Sequence, residues 1–186
     1  MSYGRRPIVG VMGSHLDREA DQAASVGRWL AREGVHLLTG GGDGVMDAVS
    51  EAFFETSPRA GQVLAVLPCV EEDPRCSPVP GYPNRWVEIP IFTHLGQGGP
   101  AGDEPSSLNH INILTSTVVI LLPGGAGTAS EARLSLRYGR PSVAYLMSRA
   151  EIPGLPDGIP LTSDFEEVCA LVRTHSAAWP PHDGSR

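Results

Sequence analysis

The sequence contains no lysine, because all 14 of its basic residues are arginine. Without a lysine amine the chain cannot form a Schiff base with pyridoxal phosphate or with a carbonyl substrate. It also cannot supply the lysine of the phosphate-binding loop of nucleoside triphosphatases. Two common chemistries for carbonyl and phosphorylated compounds are therefore excluded.

Cysteine is scarce as well. The chain has three cysteines, Cys69, Cys76 and Cys169, and no two of them form a CxxC pair. An odd number without the spacing of metal ligands argues against a structural zinc site. It favours buried or incidental thiols in a reducing compartment, so no metal site is predicted.

Positive charge and long apolar runs are also limited. The formal net charge is −7, which argues against a nucleic-acid or anionic-membrane partner. The apolar run at residues 7–13 is too short for a secretory core or a membrane span. These features predict a cytoplasmic protein with no nucleic-acid and no membrane partner.

Short apolar runs alternate along the chain with helical spacing of small and apolar residues. Uniformly apolar strands separated by helices are typical of a parallel sheet covered on both faces. We therefore predict an α/β fold, a Rossmann-like three-layer sandwich with a mostly parallel sheet. One nucleotide-binding domain is expected over residues 1–174, followed by a disordered tail over 175–186. Strands are predicted at 7–13, 35–39, 62–68, 85–92, 116–123 and 141–147, and helices at 17–33, from about 45, and at 106–115, 128–138 and 163–174.

Three of the predicted strands end in turns rich in glycine or serine. Glycine lets backbone N–H groups approach a phosphate, and a following helix adds unpaired donors and partial positive charge. Because ligands collect at the carboxyl ends of parallel strands, we predict a phosphate at the third turn and the rest of the ligand at the other two. The residues concerned are Gly13 and Ser14, then Gly40, Gly41 and Gly42, and finally Gly124, Gly125, Gly127 and Thr128.

Glu131 admits two interpretations. Thr128 and Glu131 have the spacing of a capping box, with the threonine at the N-cap and the glutamate at the third helical position. Alternatively, the Glu131 carboxyl contacts the ligand and stabilises positive charge on a breaking glycosidic bond. Residue type alone does not separate the two. Two long connections rich in proline or glycine, 69–84 and 93–105, are interpreted as lids or interface loops.

The segments "PGGAGTASE" (123–131), "GGGDGVMDAV" (40–49) and "GSH" (13–15) together resemble the LOG superfamily. That superfamily includes phosphoribohydrolases and molybdenum cofactor carrier proteins, and the resemblance spans about residues 7–147. It implies a Rossmann-like fold in a homodimer or homotetramer. It also implies that the glycine-rich segment holds the phosphate of a nucleotide or a pterin cofactor.

The hydrolase branch of that superfamily uses the motif glutamate, matched here by Glu131, together with an arginine of the preceding helix. The arginine is expected at or beside Leu108, and no arginine occurs between Arg85 and Arg133. A helix of 3.6 residues per turn points Arg133 about 200° away from Glu131, so it is a poor substitute. The neighbouring His110 is interpreted as a helix-surface or dimer-contact residue.

These observations favour a non-catalytic protein that binds a phosphorylated nucleotide or a pterin-type cofactor, as the carrier branch does. No cofactor is required, and the bound small molecule is expected to be a nucleotide or a molybdopterin-type ligand. The alternative is a phosphoribohydrolase that cleaves the N-glycosidic bond of nucleoside 5'-monophosphates, with Glu131 as its catalytic residue.

Overall fold

A computed structural model describes residues 6–70, 77–96 and 98–177. Part of the predicted loops and most of the predicted tail, namely 71–76, 97 and 178–186, lie outside the described residues. Within the described ranges, no helix is both long enough and apolar enough to cross a membrane.

Seven strands form one sheet in which every neighbouring pair is parallel. Their spatial order is β4-β3-β2-β1-β5-β6-β7, so the chain reverses its direction across the sheet between β1 and β5. The strands are β1 (Ile8–Met12), β2 (His36–Thr39), β3 (Val63–Pro68), β4 (Ile89–Thr93), β5 (Val118–Leu121), β6 (Ser142–Tyr145) and β7 (Leu161–Thr162).

Helices cover both faces of the sheet. Three of them pack on one face, where their apolar side chains meet Val9, Val11 and Ile120. The other two pack on the opposite face, against the alternate strand residues Val119 and Leu121. The first group is α1 (Ala20–Leu30), α2 (Val45–Glu55) and α5 (Phe165–Ala177), and the second is α3 (Asn109–Thr115) and α4 (Ala126–Arg137). The predicted three-layer Rossmann-like sandwich is thus confirmed.

The small residues of α1 have a packing role. A Cβ at Gly27 would lie only 2.5 Å from the carbonyl oxygen of Val49, so glycine allows α1 and α2 to approach closely. This contact fixes α2, whose first turn follows the glycine turn at 40–44.

The structure differs from the sequence prediction at element ends. The fourth strand starts at Ile89 rather than 85, and the two-residue strand β7 was not predicted because two residues carry no periodicity. Helix α4 begins at Ala126, two residues before the predicted start. Helix α5 continues through Ala177, beyond the predicted domain end at 174.

The prediction that the cysteines are free thiols is wrong for Cys69, which is disulfide-bonded. Sequence spacing did not reveal this bond, because pairing depends on where the chain places the two sulfur atoms and not on a motif. Cys169 is free and buried, and burial raises the pKa of its thiol to about 11.

Candidate ligand-binding site

The carboxyl ends of β1 and β5 lie side by side at the point where the strand order reverses. In open parallel sheets this is where ligands bind, because the flanking loops diverge and leave a crevice. A pocket of about 380 Å³ occupies this position. Its volume is in the range of small-molecule sites.

Seven of the predicted site residues border this pocket. They come from three turns and one helix that are far apart in the chain, and the fold brings them together. They are Gly13, Ser14, Gly40, Gly125, Gly127, Thr128 and Glu131.

The other three predicted glycines lie beside the pocket instead of bordering it. Gly41 has a φ of +75°, and a Cβ there would collide with Ala65 and Leu67 of β3. Gly42 packs in the same way against surrounding side chains. The backbone nitrogen of Gly124 donates to the Glu151 carbonyl oxygen at 3.0 Å. These glycines shape the turns that carry the lining residues.

The first turn of α4 forms one wall of the pocket. Gly125 is the N-cap residue and the helix begins at Ala126, so its first N–H groups have no intrahelical partner. A Cβ at Gly125 would meet no atom within 4 Å, so the space beside the start of this helix is open. The wall is therefore a concave arrangement of backbone donors at the positive end of a helix dipole.

The capping-box interpretation of Glu131 is wrong. The N-cap is Gly125 and not Thr128, and no side chain caps the helix. Thr128 occupies the third helical position and Glu131 the sixth, so the glutamate lies in the second turn. The helix starts earlier than predicted because Gly125 takes an extended conformation, with φ −101° and ψ −151°, just before the first turn.

Glu131 is instead a buried acid on the pocket wall, with 8% of its surface exposed. Burial raises the pKa of its carboxyl to about 8, and a hydrogen bond from the Asn112 side chain partly opposes the rise. Desolvation disfavours the charged form of an acid when no cation compensates it. At neutral pH most Glu131 side chains are consequently protonated and uncharged.

Helix α3 and the residue before it supply another part of the pocket wall, next to α4. Leu108, Asn109 and Asn112 all border the pocket and are buried. Asn109 Nδ2 donates to Ser130 Oγ at 2.9 Å, which joins α3 to α4. Leu108 is thus an apolar pocket residue at the position where the family resemblance expects an arginine.

No arginine within residues 6–70, 77–96 and 98–177 borders the pocket. Arg133 is half-exposed and forms an ion pair with Asp103. Arg85 lies over the Trp86 ring, 4.2 Å from its centroid, and is 77% exposed. Neither side chain replaces the missing cation.

The interpretation of His110 as a helix-surface residue is wrong, while the alternative of a dimer contact stays a prediction. It is buried, and its Nδ1 lies 2.7 Å from Tyr138 Oη. Its Nε2 lies 3.0 Å from the carbonyl oxygen of Glu104. His110 therefore holds α3, α4 and the preceding loop together.

The outer part of the pocket is apolar and aromatic. His15, Leu16, Met46, Pro68 and Tyr82 border it. The His15 and Tyr82 rings are nearly parallel, with an angle of 4° between their planes and 5.9 Å between their centroids. Asn112 and Tyr82 were not predicted as site residues, because no motif of the sequence includes them and only the packing of distant segments brings them to the pocket.

Part of the 93–105 connection also borders the pocket. Gly98 and Gly99 line it, and a short 3₁₀ turn, Gly99–Ala101, packs against the start of α4. Gly102 is buried against Asn109 and Ser130, where a side chain would collide. Within the described ranges no group of three or more His, Cys, Asp and Glu side chains is arranged to hold a metal ion.

Comparison with known proteins gives three kinds of match. A family model described as the SLOG cluster4 family matches residues 6–154. A protein of Archaeoglobus fulgidus is 30% identical over 149 residues, which cover 79% of this chain and 84% of that protein. The structure is also similar to solved structures of two proteins that bind a cofactor.

The first of these is the molybdenum cofactor carrier protein of Chlamydomonas reinhardtii. It is 29% identical, with a TM-score of 0.67 and coverage of 93% of this chain and 99% of that chain. The second is the molybdenum cofactor binding protein of Rippkaea orientalis. It is 28% identical, with a TM-score of 0.64 and coverage of 91% and 97%.

Proposed function

The chain belongs to the SLOG cluster4 family, and on that premise we propose that it binds a phosphorylated nucleotide or pterin-type cofactor without cleaving it. The observation that carries this proposal is the composition of one pocket. A helix N-terminus open to a phosphate lies beside a buried acid, and the described lining residues include no arginine.

The phosphate is assigned to the first turn of α4. Backbone N–H groups there have no helical partners, and the helix dipole favours an anion. The open space at Gly125 leaves room for phosphate oxygens, and the absence of a side chain at Gly127 lets the Gly99 backbone pack against this turn. Binding of this kind needs no lysine, in agreement with the composition of the chain.

The apolar outer part of the pocket suits a flat heterocycle. His15 and Tyr82 offer ring faces, while Met46 and Pro68 offer apolar contact. Aromatic faces favour offset stacking on other π-systems. Phosphate at α4 and a ring near Tyr82 would use both ends of the pocket, as a phosphorylated pterin or a nucleotide requires. When bound, a molybdenum-containing pterin would supply its own metal chemistry, and these residues would only hold and orient it.

The raised pKa of Glu131 disfavours one role that a glutamate can take in the cleavage of a glycosidic bond, namely to stabilise the developing positive charge. Breaking that bond creates positive charge in the transition state, and a protonated carboxyl offers no negative charge to stabilise it. Leu108 supplies no compensating cation. The similarity to two molybdenum cofactor proteins over more than nine-tenths of this chain supports binding as the main role. We extend the proposal to a homodimer or homotetramer, as the family resemblance implies, and to a cytoplasmic location.

The proposal is tested by identifying what the purified protein carries. Protein expressed in a host that makes pterin cofactors is denatured, the released small molecules are oxidised, and pterins and nucleotides are separated by chromatography. We expect a phosphorylated pterin or nucleotide in stoichiometric yield from the native chain. Gly125→Asp, which places a carboxylate in the cradle, should carry none. Equal yields from both proteins would remove the site assignment.

The phosphoribohydrolase remains the second candidate, because Glu131 matches the motif residue of that branch. Its test is release of free base from a panel of nucleoside 5'-monophosphates by the native chain and by Leu108→Arg. Base release by the native chain that is lost in Glu131→Gln would establish a hydrolase and overturn the binding-only proposal.

A further inference from the structure

Asn112 has a polar side-chain atom that forms no hydrogen bond with any described residue. The residue is 1% exposed and borders the pocket. Its side-chain amide group donates a hydrogen bond to the Glu131 carboxyl. Its Oδ1 atom, in contrast, is buried without a hydrogen-bond partner among the described residues. A buried acceptor left unpaired loses its hydrogen bonds to water without replacement, and native proteins rarely contain one without a reason.

Two neighbouring polar groups on this wall already have hydrogen-bond partners. Asn109 Nδ2 donates to Ser130 Oγ, and Ser130 Oγ donates to the Gly127 carbonyl oxygen at 2.7 Å. The nearby Leu108 has no polar atom in its side chain. Asn112 Oδ1 is therefore a buried, unpaired acceptor on this wall that a molecule in the pocket can satisfy.

The position of Asn112 relative to the proposed phosphate site limits which part of a ligand it can contact. Its neighbour Glu131 follows Thr128 by three residues, so the two side chains lie on the same face of α4, about 4.5 Å apart along the helix axis. A ligand group beside Asn112 and Glu131 is then only a few bonds from the phosphorus atom.

We propose that Asn112 determines ligand specificity by accepting, through Oδ1, a hydrogen bond from an uncharged O–H or N–H group a few bonds from the phosphate. This inference rests on the proposed function, since it assumes the phosphate at α4. Glu131 O–H donates to the acceptor atom of the same ligand group. A hydroxyl satisfies both partners, because its oxygen accepts one hydrogen bond while its hydrogen is donated.

The same geometry selects against charged groups at this position. A carboxylate or second phosphate would face the Asn112 acceptor, and no arginine among the described lining residues would neutralise it. Burial of an unpaired charge is far more costly than burial of a hydroxyl with two partners. The ligand class is therefore a phosphate monoester with a neutral hydroxyl or amide-type donor close to the phosphate.

The test compares three probes by calorimetry: inorganic phosphate, adenosine 5'-monophosphate and its 2',3'-dideoxy analogue. The two nucleotides differ only in their ribose hydroxyls. Two variants are compared with the native chain. Asn112→Leu removes the acceptor at similar volume, and Asn112→Asp keeps an acceptor oxygen.

We expect the native chain to prefer the hydroxylated nucleotide by roughly fivefold or more, the usual effect of one hydrogen bond. Asn112→Leu should lose this preference and bind inorganic phosphate within about twofold of the native affinity, whereas Asn112→Asp should keep the preference. Asn112→Ala replaces the leucine variant if circular dichroism shows that the latter does not fold.

Two failures can be told apart. The role of Asn112 is overturned if the native chain does not prefer the hydroxylated nucleotide, or if Asn112→Leu keeps that preference. Phosphate binding at α4 is unaffected by either result. Absence of binding of all three probes to the native chain overturns the proposed function, and the assignment to Asn112 falls with it.

Discussion

The backbone nitrogen of Ser14 donates a 2.9 Å hydrogen bond to the carbonyl oxygen of Pro123, and the Ser14 carbonyl oxygen accepts one of 2.8 Å from Val45. Ser14 follows β1, Pro123 precedes the glycines after β5, and Val45 starts α2. One residue thus connects the three glycine-rich turns, which explains why turns more than 100 residues apart enclose a single pocket.

Gly125→Asp should abolish phosphate binding without unfolding the protein. A Cβ at Gly125 meets no atom within 4 Å, so the aspartate fits sterically and places its carboxylate where the anion is expected. Titration with inorganic phosphate measures the loss. Ala170→Asp, which adds the same charge at an exposed position of α5, is the control and should bind as the native chain does. Equal weakening in both variants would indicate a general charge effect.

The free energy of unfolding should fall as the pH rises from about 4.5 to about 8. In the unfolded chain Glu131 ionises near its ordinary pKa of 4.5, whereas in the folded protein its pKa is about 8. Below pH 4.5 both states hold the proton, between the two values only the folded state does, and above pH 8 neither does. Because the unfolded state releases this proton at a lower pH than the folded state does, the free energy of unfolding decreases across this range by up to a few kcal/mol.

Urea unfolding at pH 5, 7 and 9 checks this pH dependence. Glu131→Gln cannot ionise, so we expect its stability to change less with pH than that of the native chain and to exceed it at pH 9. An identical pH dependence in the two proteins would show that Glu131 does not titrate as proposed.

Leu108→Arg should lower the pKa of Glu131. Both side chains border the same pocket, and a nearby cation favours the ionised form of an acid. Carboxyl carbon chemical shifts of labelled glutamate, followed against pH, report the change directly. Leu108→Met keeps the position apolar and should leave the midpoint of the Glu131 titration near pH 8. A midpoint that does not move in the arginine variant would mean that its guanidinium points away from the acid.

Gly102→Ala should destabilise the protein by about 1–3 kcal/mol, the usual cost of inserting a group into a filled site. Its Cβ would collide with Ser130 Oγ and Asn109 Nδ2, and so would disturb the hydrogen bond between α3 and α4. Chemical unfolding measures the loss. Gly98→Ala is the matched control, because Gly98 has a φ of −158° and open space around it. It should change stability by less than about 0.5 kcal/mol.

Most of the fold was predictable from local patterns. The six longer strands and the five helices were predicted close to their observed positions, because apolar runs and helical spacing are properties of neighbouring residues. The predicted start of α4 was wrong because it also relied on a local pattern. Thr128 and Glu131 satisfy the capping-box spacing, but the structure places Gly125 at the N-cap.

The sequence by itself determined the parallel α/β sheet, the turns that carry glycine, and the absence of lysine and of an arginine between Arg85 and Arg133. Only the tertiary structure decided the character of the pocket. The protonation of Glu131 depends on desolvation by residues from several distant segments, and the open acceptor of Asn112 depends on which donors reach it. Burial and hydrogen-bond satisfaction are sums over spatial neighbours, and the spacing of residues along one chain does not contain them.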